Sequence, residues 1–396
     1  MRQLPFDYAF RNLLRSRVRL VASLLGAGLV VVLALAAAGF VRGMQQTLSK
    51  APTLHENVIL LSSGSEESLE RSQIDASVVG IVAASLTGLR EEGGVTFVSP
   101  EINIALPVRL GGDSEESARA AVLRGVRPVS LLVHPEVEIV EGRFPEPGRD
   151  EVMIGVLTPA QLGVGEDALG IGSTIMFDRH LWRVVGRFSA PNTVMDAEVW
   201  VPLSDLQVAT KREGTLSCVV ASIDPARDGP EVFRAIDVFA RSRLDLELVA
   251  MRESEYYRSL VEFYRPIRFV VIVTAVLIGI GELLGDLNTM YASFASRVRE
   301  IGMLQALGYT RPAIVINIIE ESVFMAAGGI IIGLLVGIGL LDGLGVRFSM
   351  GAFTIMVDPP VVLIGVLAGI IVGLVGAAPP AIRCLRLPVT EALKSY

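Results

Sequence analysis

The sequence predicts a membrane α-helical protein with four transmembrane helices and a large α+β extracytoplasmic domain inserted between helices 1 and 2. Three observations predict this class. Of the 396 residues, 51% are hydrophobic, and the mean hydropathy is +0.54. Four stretches are long and apolar enough to cross a bilayer, which takes roughly 20 residues per helix. Charge is segregated, because residues 42–265 alone hold 33 acidic and 22 basic side chains.

The four apolar stretches divide the chain into nine segments. A cytoplasmic amino-terminal segment at 1–19 precedes transmembrane helix 1 at 20–41 and the extracytoplasmic domain at 42–265. Transmembrane helix 2 at 266–290 leads into a cytoplasmic segment at 291–312 and transmembrane helix 3 at 313–341. A short extracytoplasmic loop at 342–359, transmembrane helix 4 at 360–382 and a cytoplasmic tail at 383–396 follow.

The orientation follows from the bias of basic residues towards the cytoplasm. The amino-terminal flank, the segment after helix 2 and the tail share these residues: Arg2, Arg11, Arg15, Arg17, Arg19, Arg297, Arg299, Arg311, Arg383, Arg386 and Lys394. The loop after helix 3 offers only Arg347. Both termini are therefore predicted to be cytoplasmic. Ala36-Ala37-Ala38 resembles a signal-peptide cleavage site, but the apolar run is longer than the usual ~7–15 residues, so an anchor is predicted.

The segment at 42–265 alternates strand and turn signals. Short runs of β-branched or aromatic residues predict strands at Val95–Val98, Ile102–Leu110, Val152–Ile154, Thr174–Phe177, Trp182–Val185 and Val199–Val201. Apolar periodicity predicts helices at Ser77–Leu89 and Glu231–Leu244. The segment is therefore predicted to be a mixed α+β domain.

No catalytic pattern stands out. A phosphate-binding loop needs a lysine directly after a glycine, and none of Lys50, Lys211 and Lys394 follows one. No segment makes a convincing nucleophile elbow or cofactor-binding glycine loop. The acidic balance of residues 42–265 argues against nucleic-acid binding, which needs a concentrated basic surface. The sequence therefore predicts a chain that is not an enzyme.

The cysteines and histidines form no metal-binding or disulfide pattern. Cys218 and Cys384 lie on opposite sides of the membrane in the predicted topology, so they cannot pair. His55, His134 and His180 are scattered without the spacing of metal ligands, and we predict ordinary surface or turn positions for all three.

The segment between helices 2 and 3 is the most distinctive in the chain. Charged residues begin it, and Ile301, Leu304 and Leu307 then fall on one helical face before Gly308. This predicts a short amphipathic helix with a glycine stop. From the residues alone, it is either an interfacial helix lying on the bilayer or a docking element for a cytosolic partner.

Several motifs carry a resemblance to a known family. They are Asn288-Thr289-Met290, Arg297-Val298-Arg299-Glu300-Ile301-Gly302, Ala306-Leu307-Gly308, Pro379-Pro380-Ala381, Pro388 to Leu393, Arg11 to Ser16, Glu141 to Phe144, Glu151 to Gly155 and Val184-Val185-Gly186. In type and order they resemble the FtsX/MacB-like ABC-transporter permeases, with a MacB-like periplasmic core domain and an FtsX-like transmembrane domain. The segment departs from the family at Gln305, where a basic residue is commoner.

The resemblance implies a function. The chain would be the permease subunit of an ABC transporter, coupling ATP hydrolysis by a separate ATPase to movement of the extracytoplasmic domain, for export or extraction of an envelope substrate. ATP and magnesium would bind in that partner, with no cofactor in this chain. Other implied partners are a second copy of the chain, a periplasmic adaptor or membrane-fusion protein and the bilayer of the bacterial inner membrane. The alternative is an FtsX-like signalling subunit that regulates a cell-wall hydrolase without transport.

The resemblance also assigns roles to residues. The residues that would couple the chain to the ATPase are Arg297, Arg299, Glu300, Ile301, Gly302, Leu304, Leu307 and Gly308. We expect Ile301, Leu304 and Leu307 to fill a groove on the ATPase and Arg297 to lie at the rim of that interface. Replacing Leu304 is therefore expected to weaken the coupling more than replacing Arg297.

Two further features concern the spans. Glycines recur every fourth residue at Gly329, Gly333 and Gly337 in helix 3 and at Gly365, Gly369 and Gly373 in helix 4. Such stripes allow close approach of helices, either within one subunit or at a dimer seam. Helix 2 carries Glu282 and Asp286, which are predicted to lie near an interface; a buried proton or ligand role is the alternative.

Overall fold

A computed structural model describes residues 17–49, 56–191, 193–263, 265–348 and 351–386. His55, the Arg11 to Ser16 motif and the tail motif at 388–393 lie outside these residues. The chain divides into two compact units. One contains residues 1–42, 266–344 and 355–396, and the other contains residues 43–265 and 345–354. We refer to them as the helical unit and the outer unit.

The helices and strands follow one another in chain order. The first part comprises α1 (Arg17–Ser49), β1 (Asn57–Ser62), β2 (Ile74–Asp75), α2 (Val78–Ser85), β3 (Glu91–Glu92), β4 (Val95–Thr96), β5 (Val98–Leu110), β6 (Arg119–Val126), α3 (Ser130–Val133), β7 (Glu138–Gly142), β8 (Glu151–Gly155) and α4 (Thr158–Leu162). The middle part comprises β9 (Thr174–Phe177), β10 (His180–Ser189), β11 (Val199–Pro202), α5 (Leu203–Ala209), β12 (Thr215–Leu216), β13 (Cys218–Ser222), α6 (Gly229–Ser242), β14 (Leu248–Arg252) and α7 (Glu253–Phe263). The last part comprises α8 (Arg265–Ser296), α9 (Val298–Ala306), α10 (Arg311–Leu341), β15 (Gly345–Phe348), β16 (Gly351–Thr354) and α11 (Pro359–Arg386).

Four of these helices are long and apolar enough to cross a membrane: Leu20–Gln46 within α1, all of α8, all of α10 and Pro359–Arg383 within α11. The first is followed by the α+β domain, and the other three come after it. The predicted fold class is therefore confirmed.

The outer unit is built around a ten-stranded sheet. Strands β5, β6, β11, β8, β10 and β9 pair in a closed ring, because β9 pairs with both β10 and β5. The amino-terminal part of β5 also pairs with β13, which continues the sheet through β1 to β14. The long strand β5 thus belongs to both parts of the sheet. Val98, Ile102 and Val108 of β5 contribute to one large apolar core.

Several predicted elements of the outer unit are confirmed with shifted ends. The predicted strand at Val95–Val98 is divided, because the backbone amide of Phe97 donates to Arg90 between β4 and β5. The helix predicted at Ser77–Leu89 ends at Ser85, and the one predicted at Glu231–Leu244 is α6. Gly229 and Pro230 begin α6, because proline suits the first turn of a helix, where its missing N–H is not needed.

The predicted loop after the third spanning helix contains a β-hairpin that belongs to the outer unit. Strands β15 and β16 pair antiparallel from Gly345 opposite Thr354 to Phe348 opposite Gly351. The hairpin packs on α4 and on the turn at 194–197. Phe353 is completely buried. The chain between α10 and α11 therefore enters the core of the outer unit and returns.

Candidate coupling site

One residue, Arg297, separates α8 from α9, and α9 stops at a glycine. Gly308 has a φ of +92°, and its amide donates to Gln305, while the amide of Tyr309 donates to Leu304. This pair of bonds is the Schellman motif, which satisfies the last carbonyl groups of a helix. It requires a residue whose backbone is in the left-handed αL conformation. The predicted short helix and its glycine stop are confirmed. A side chain at Gly308 would strain this turn, because L residues rarely adopt that backbone conformation.

One face of α9 packs against the helical unit. Ile301 is 6% exposed and belongs to an apolar cluster with Met290, Phe294, Ile314, Ile318, Met325 and Ala377. Gly302 is buried beside it, and Leu304 packs at the edge of the cluster. The expectation that Ile301 fills a groove on a partner is therefore wrong. An apolar face on a short helix can be covered by its own chain, and here it is.

The outward face of α9 carries the exposed apolar residues. Met303 is 48% and Leu307 67% exposed. Arg299 is also exposed, and Glu300 is half-buried. Of the residues predicted for coupling, Leu307 and Arg299 are available to a partner, whereas Ile301 and Gly302 hold the helix in place. The sequence did not point to Met303, because Met303 falls outside the three-residue spacing of Ile301, Leu304 and Leu307.

Arg297 fixes the start of α9. Its Nη1 donates to Oε2 of Glu321 in α10 over 2.8 Å, and its Nε lies 3.8 Å from Glu300. The Glu321 side chain is 3% exposed. The guanidinium of Arg297 is thus engaged by its own chain, and its role at the rim of a partner interface stays a prediction. A charge-assisted bond of this kind is shorter and stronger than a bond between neutral groups.

The two glycine stripes pack helices within the chain. A side-chain carbon at Gly329 would lie 2.5 Å from the Cβ of Ala27, and one at Gly333 would lie 2.7 Å from the carbonyl oxygen of Gly28. Gly337 lies against Leu35 in the same way. The stripe on α10 therefore faces α1. The open choice between packing within a subunit and a dimer seam is resolved for these contacts in favour of the subunit.

The stripe on α11 faces both α10 and α1. Gly369 lies against Ile330 and Gly373 against Ala326, and Gly365 lies against Leu35. Small residues let helix backbones approach closely where lipid supplies no hydrophobic driving force. The three helices α1, α10 and α11 are thus held together through glycine contacts.

A buried ionic network lies in the outer unit. Arg124 on β6 binds Glu198 with two bonds of 2.7 Å and Glu101 on β5 with one of 2.6 Å. His134, directly after α3, places Nε2 2.9 Å from Glu101 and Nδ1 3.7 Å from Glu253 at the start of α7. All five side chains are nearly or completely buried. The network joins the closed ring of strands to the first residue of α7.

The charges of this network perturb one another. Burial opposes ionisation of Glu101, but the positive charges of His134 and Arg124 prevail and lower its pKa to about 2. Burial likewise opposes protonation of His134, yet Glu101 raises its pKa well above the usual value. For Glu253, burial dominates and raises the pKa. The structure therefore favours an ionised Glu101 beside a protonated His134.

The prediction that His134 is a surface or turn residue is wrong, because its side chain is completely buried. His180 is exposed at the start of β10, as predicted. A signal was present in the sequence. Arg124 interrupts the apolar strand β6 and Glu101 interrupts β5, and a charge inside a buried strand needs a partner. Which residue would supply the partner could not be read from spacing, because the contacts cross 23 to 74 residues.

These features define a multi-pass membrane protein whose first spanning helix is followed by a large α+β domain and whose third is preceded by a short anchored helix. Two family models match it. The MacB-like periplasmic core domain matches residues 20–238, and the FtsX-like permease C-terminal domain matches residues 268–389. The chain therefore belongs to the family of MacB-like ABC-transporter permeases with an FtsX-like transmembrane domain.

The individual proteins that match most of this chain share less than a quarter of its residues. The macrolide export ATP-binding/permease protein MacB of Escherichia coli is 23% identical over 96% of this chain, which spans 58% of that protein's length. MacB of Hahella chejuensis is 24% identical over 98% of the chain and 59% of its own length. An uncharacterized ABC transporter permease, YvrN of Bacillus subtilis, is 33% identical over 28% of this chain and 26% of its own length.

Among solved structures, the periplasmic region of MacB from Actinobacillus actinomycetemcomitans is similar over 52% of this chain and 92% of its own, with 13% identity and a TM-score of 0.39. The extracellular domain of the transporter YknZ from Gram-positive bacteria is similar over 50% of this chain and 98% of its own, with 11% identity and a TM-score of 0.37.

Proposed function

We propose that this chain is the permease subunit of an ABC transporter in which a separate cytosolic ATPase drives movement of the outer unit. The observation that carries the proposal is that α9 has one face buried in its own chain and another, apolar face exposed. Ile301 anchors the helix in the helical unit, while Met303 and Leu307 project outward, 48% and 67% exposed. A short helix fixed on one face and apolar on the other suits a partner that must push or pull on it.

The exposed residues determine how such a partner would bind. Central apolar anchors dominate most protein interfaces, and charges at the rim contribute less. Met303 and Leu307 would therefore supply most of the affinity, and Arg299 would contribute at the rim. Leu304 is mostly committed to its own chain, so it is no longer expected to be the main anchor.

The chain path supports mechanical transmission. Helix α7 of the outer unit is followed at Arg265 by α8, and the hairpin of β15 and β16 links α10 to α11. Displacement of a helix in the helical unit would be passed along the chain into the outer unit. We propose that this movement exports or extracts an envelope substrate from the outer side of the membrane.

Partners and location complete the proposal. ATP and magnesium bind in the partner ATPase, two copies of the chain form a homodimer with two ATPases, and a periplasmic adaptor receives the substrate. The chain lies in the bacterial inner membrane with both termini in the cytoplasm. The name of the E. coli relative, which combines export, ATP binding and a permease, supports pairing the permease with an ATPase.

The test is ATP hydrolysis by the full chain reconstituted in lipid nanodiscs with its purified ATPase. Leu307→Asp should abolish co-purification and stimulation of hydrolysis, because it places a charge in the apolar contact. Leu244→Asp is the matched control, because Leu244 is 84% exposed in the outer unit and should tolerate the same change. Full binding and stimulation by Leu307→Asp would show that α9 is not the coupling element.

A further inference from the structure

Helix α7 precedes the spanning helix α8 in the chain and begins with a buried carboxylate. Glu253 is its first residue and is 2% exposed, and Oε2 of Glu253 accepts a bond of 2.8 Å from Nδ2 of Asn57 on β1. Tyr256 and Tyr257 pack in an apolar cluster with residues of β1 and β13. The other side chains of α7 that the structure describes are exposed: Ser254, Glu255, Arg258 and Ser259. The described part of α7 is thus buried only at one carboxylate and two aromatic rings.

His134 faces this carboxylate and one other. Its Nδ1 lies 3.7 Å from Oε1 of Glu253 and 3.6 Å from Oε1 of Glu136, while its Nε2 lies 2.9 Å from Glu101. Both ring nitrogens of a histidine carry a hydrogen only when the ring is protonated. Glu101 then takes one N–H, and Glu136 and Glu253 share the other. The Glu136 side chain is 14% exposed, so water replaces this contact poorly.

Carboxylates outnumber positive charges around His134 and Glu253. The charged and titratable groups in this region are Glu101 on β5, Arg124 on β6, Glu136 after α3, Glu198 before β11, Cys218 on β13 and Tyr257 on α7. Arg124 is committed to Glu101 and Glu198. Among the described residues, only His134 brings a positive charge within 4 Å of Glu136 or Glu253. These two carboxylates therefore depend on the protonation of one histidine.

A rise in pH removes that charge. Burial opposes protonation of His134, but the Glu101 carboxylate prevails and raises the pKa of His134 well above its usual value. Burial also raises the pKa of Glu253. A raised pKa in the folded protein gives a stabilisation that is complete below the usual pKa and is lost as the pH rises. Both groups therefore favour the buried position of Glu253 at low pH, and both disfavour it at high pH.

An ionised carboxylate without a partner is costly inside a protein, and exposure to water removes the cost. Glu253 reaches water if the first turn of α7 opens, whereas Glu101 belongs to a strand that is paired with two neighbours. We propose that His134, Glu136 and Glu253 form a pH-sensitive switch that holds the start of α7 in the outer unit at neutral and acidic pH and releases it at alkaline pH. Release frees the helix that leads into α8. The switch does not depend on the proposed ATPase coupling, because its three residues belong to this chain.

The experiment is hydrogen–deuterium exchange of the full chain in lipid nanodiscs, measured by mass spectrometry between about pH 6 and about pH 9. Each rate is divided by that of an unstructured peptide at the same pH, because exchange itself accelerates with pH. A short helix without tertiary contacts is marginal in water. The amides of residues 257–263 should therefore be protected at the lower pH and lose their protection at the higher pH. The amides of β8, in the closed ring of strands, should stay protected throughout.

Variants assign the effect to the switch. Glu253→Gln should keep α7 protected over the whole range, because glutamine has nearly the same shape and needs no cation. Glu255→Gln is the matched control, because Glu255 is an exposed carboxylate on the same helix, and it should lose protection as the wild type does. A loss of protection in Glu253→Gln equal to that of the wild type would overturn the proposal.

The wild-type protein alone can also overturn the proposal, so a variant that fails to fold does not protect it. Protection of α7 that persists at the higher pH would show that the start of the helix is not released. Complete loss of protection in α7 and β8 together would show that the whole outer unit unfolds and that no local switch exists.

Discussion

Arg297 and Glu321 are 24 residues apart in sequence, yet Nη1 of the arginine lies 2.8 Å from Oε2 of the glutamate. The bond joins the residue before α9 to the third turn of α10. Because the glutamate is 3% exposed and the arginine 16%, water competes poorly for either group. The pair therefore fixes α9 relative to the helix that follows it, which a coupling element requires.

A double-mutant cycle tests this pair. Arg297→Gln and Glu321→Gln should each lower the thermal stability of the purified protein, and the double variant should be little worse than the more damaging single one. Residues in direct contact typically show interaction energies of about 0.5–3 kcal/mol. Arg241→Gln and Asp237→Asn provide the control, since that exposed pair should couple by only about 0.3–0.5 kcal/mol. Strictly additive effects at Arg297 and Glu321 would contradict a structural role for the bond.

The glycine contacts between α1 and α10 give a second prediction. Gly333→Ala should lower the melting temperature in detergent, because its new carbon would meet the backbone of Gly28 at 2.7 Å and cannot be accommodated by a side-chain rotation. Gly339→Ala, six residues later on the same helix, has nothing within 4 Å and should be neutral or stabilising, since alanine favours a helix by about 1 kcal/mol over glycine. Equal melting temperatures for the two variants would mean that α1 and α10 do not approach so closely.

The sequence predicted the spans and the class of the outer unit, because long apolar runs and alternating short strands depend on local chemistry alone. It could not show what covers an apolar face. Ile301 and Leu307 share one periodic pattern, yet Ile301 is buried in its own chain and Leu307 is exposed. His134 was misjudged for a related reason. Its partner Glu101 is 33 residues away, and only the fold brings the two together.

The membrane orientation is open to a direct chemical test. In a Cys384→Ser background, a cysteine introduced at Ser63 in the outer unit should react with an impermeant maleimide in intact spheroplasts. A cysteine introduced at Ala306 on α9 should react only after the membrane is permeabilised. Both positions are exposed, and Cys218 is completely buried and should contribute little background. Labelling of Ala306→Cys in intact spheroplasts would reverse the proposed orientation.

The buried network predicts a large loss of stability when its cation is removed. Arg124→Met leaves Glu198 buried without the cation that binds it and takes from Glu101 one of its two cationic partners, and breaking a buried ion pair in this way typically costs about 3–5 kcal/mol. Urea unfolding followed by tryptophan fluorescence measures the effect in the full chain, because Trp182 and Trp200 are its only tryptophans and both lie in the outer unit. Arg243→Met, which breaks an exposed pair with Asp245, should change stability by less than about 1 kcal/mol.

The same network predicts how the stability of the outer unit depends on pH. The pKa of Glu101 is lowered from 4.5 to about 2, so its contribution is complete above pH 4.5 and is lost as the pH falls from 4.5 towards 2. At 1.36 kcal/mol per pKa unit, this contribution is on the order of 3 kcal/mol. The pKa of His134 is raised, so its contribution is complete below pH 6.5 and is lost as the pH rises above that value. Burial raises the pKa of Glu253, which adds to the decline at higher pH, starting above pH 4.5.

The free energy of unfolding, measured by urea titration with tryptophan fluorescence, should therefore rise between pH 2 and 4.5, begin to fall above pH 4.5 through Glu253, and fall further above pH 6.5 through His134. His134→Asn should remove much of the fall above pH 6.5, because the group that loses its proton there is gone. His180→Asn should keep it, because His180 is exposed and outside the network. The rise at low pH should persist in both variants, although His134→Asn should make it smaller, since Arg124 alone then holds Glu101 ionised. An unchanged slope above pH 6.5 in His134→Asn would show that His134 is not protonated in the folded protein, and that Arg124 is the only cation of the network.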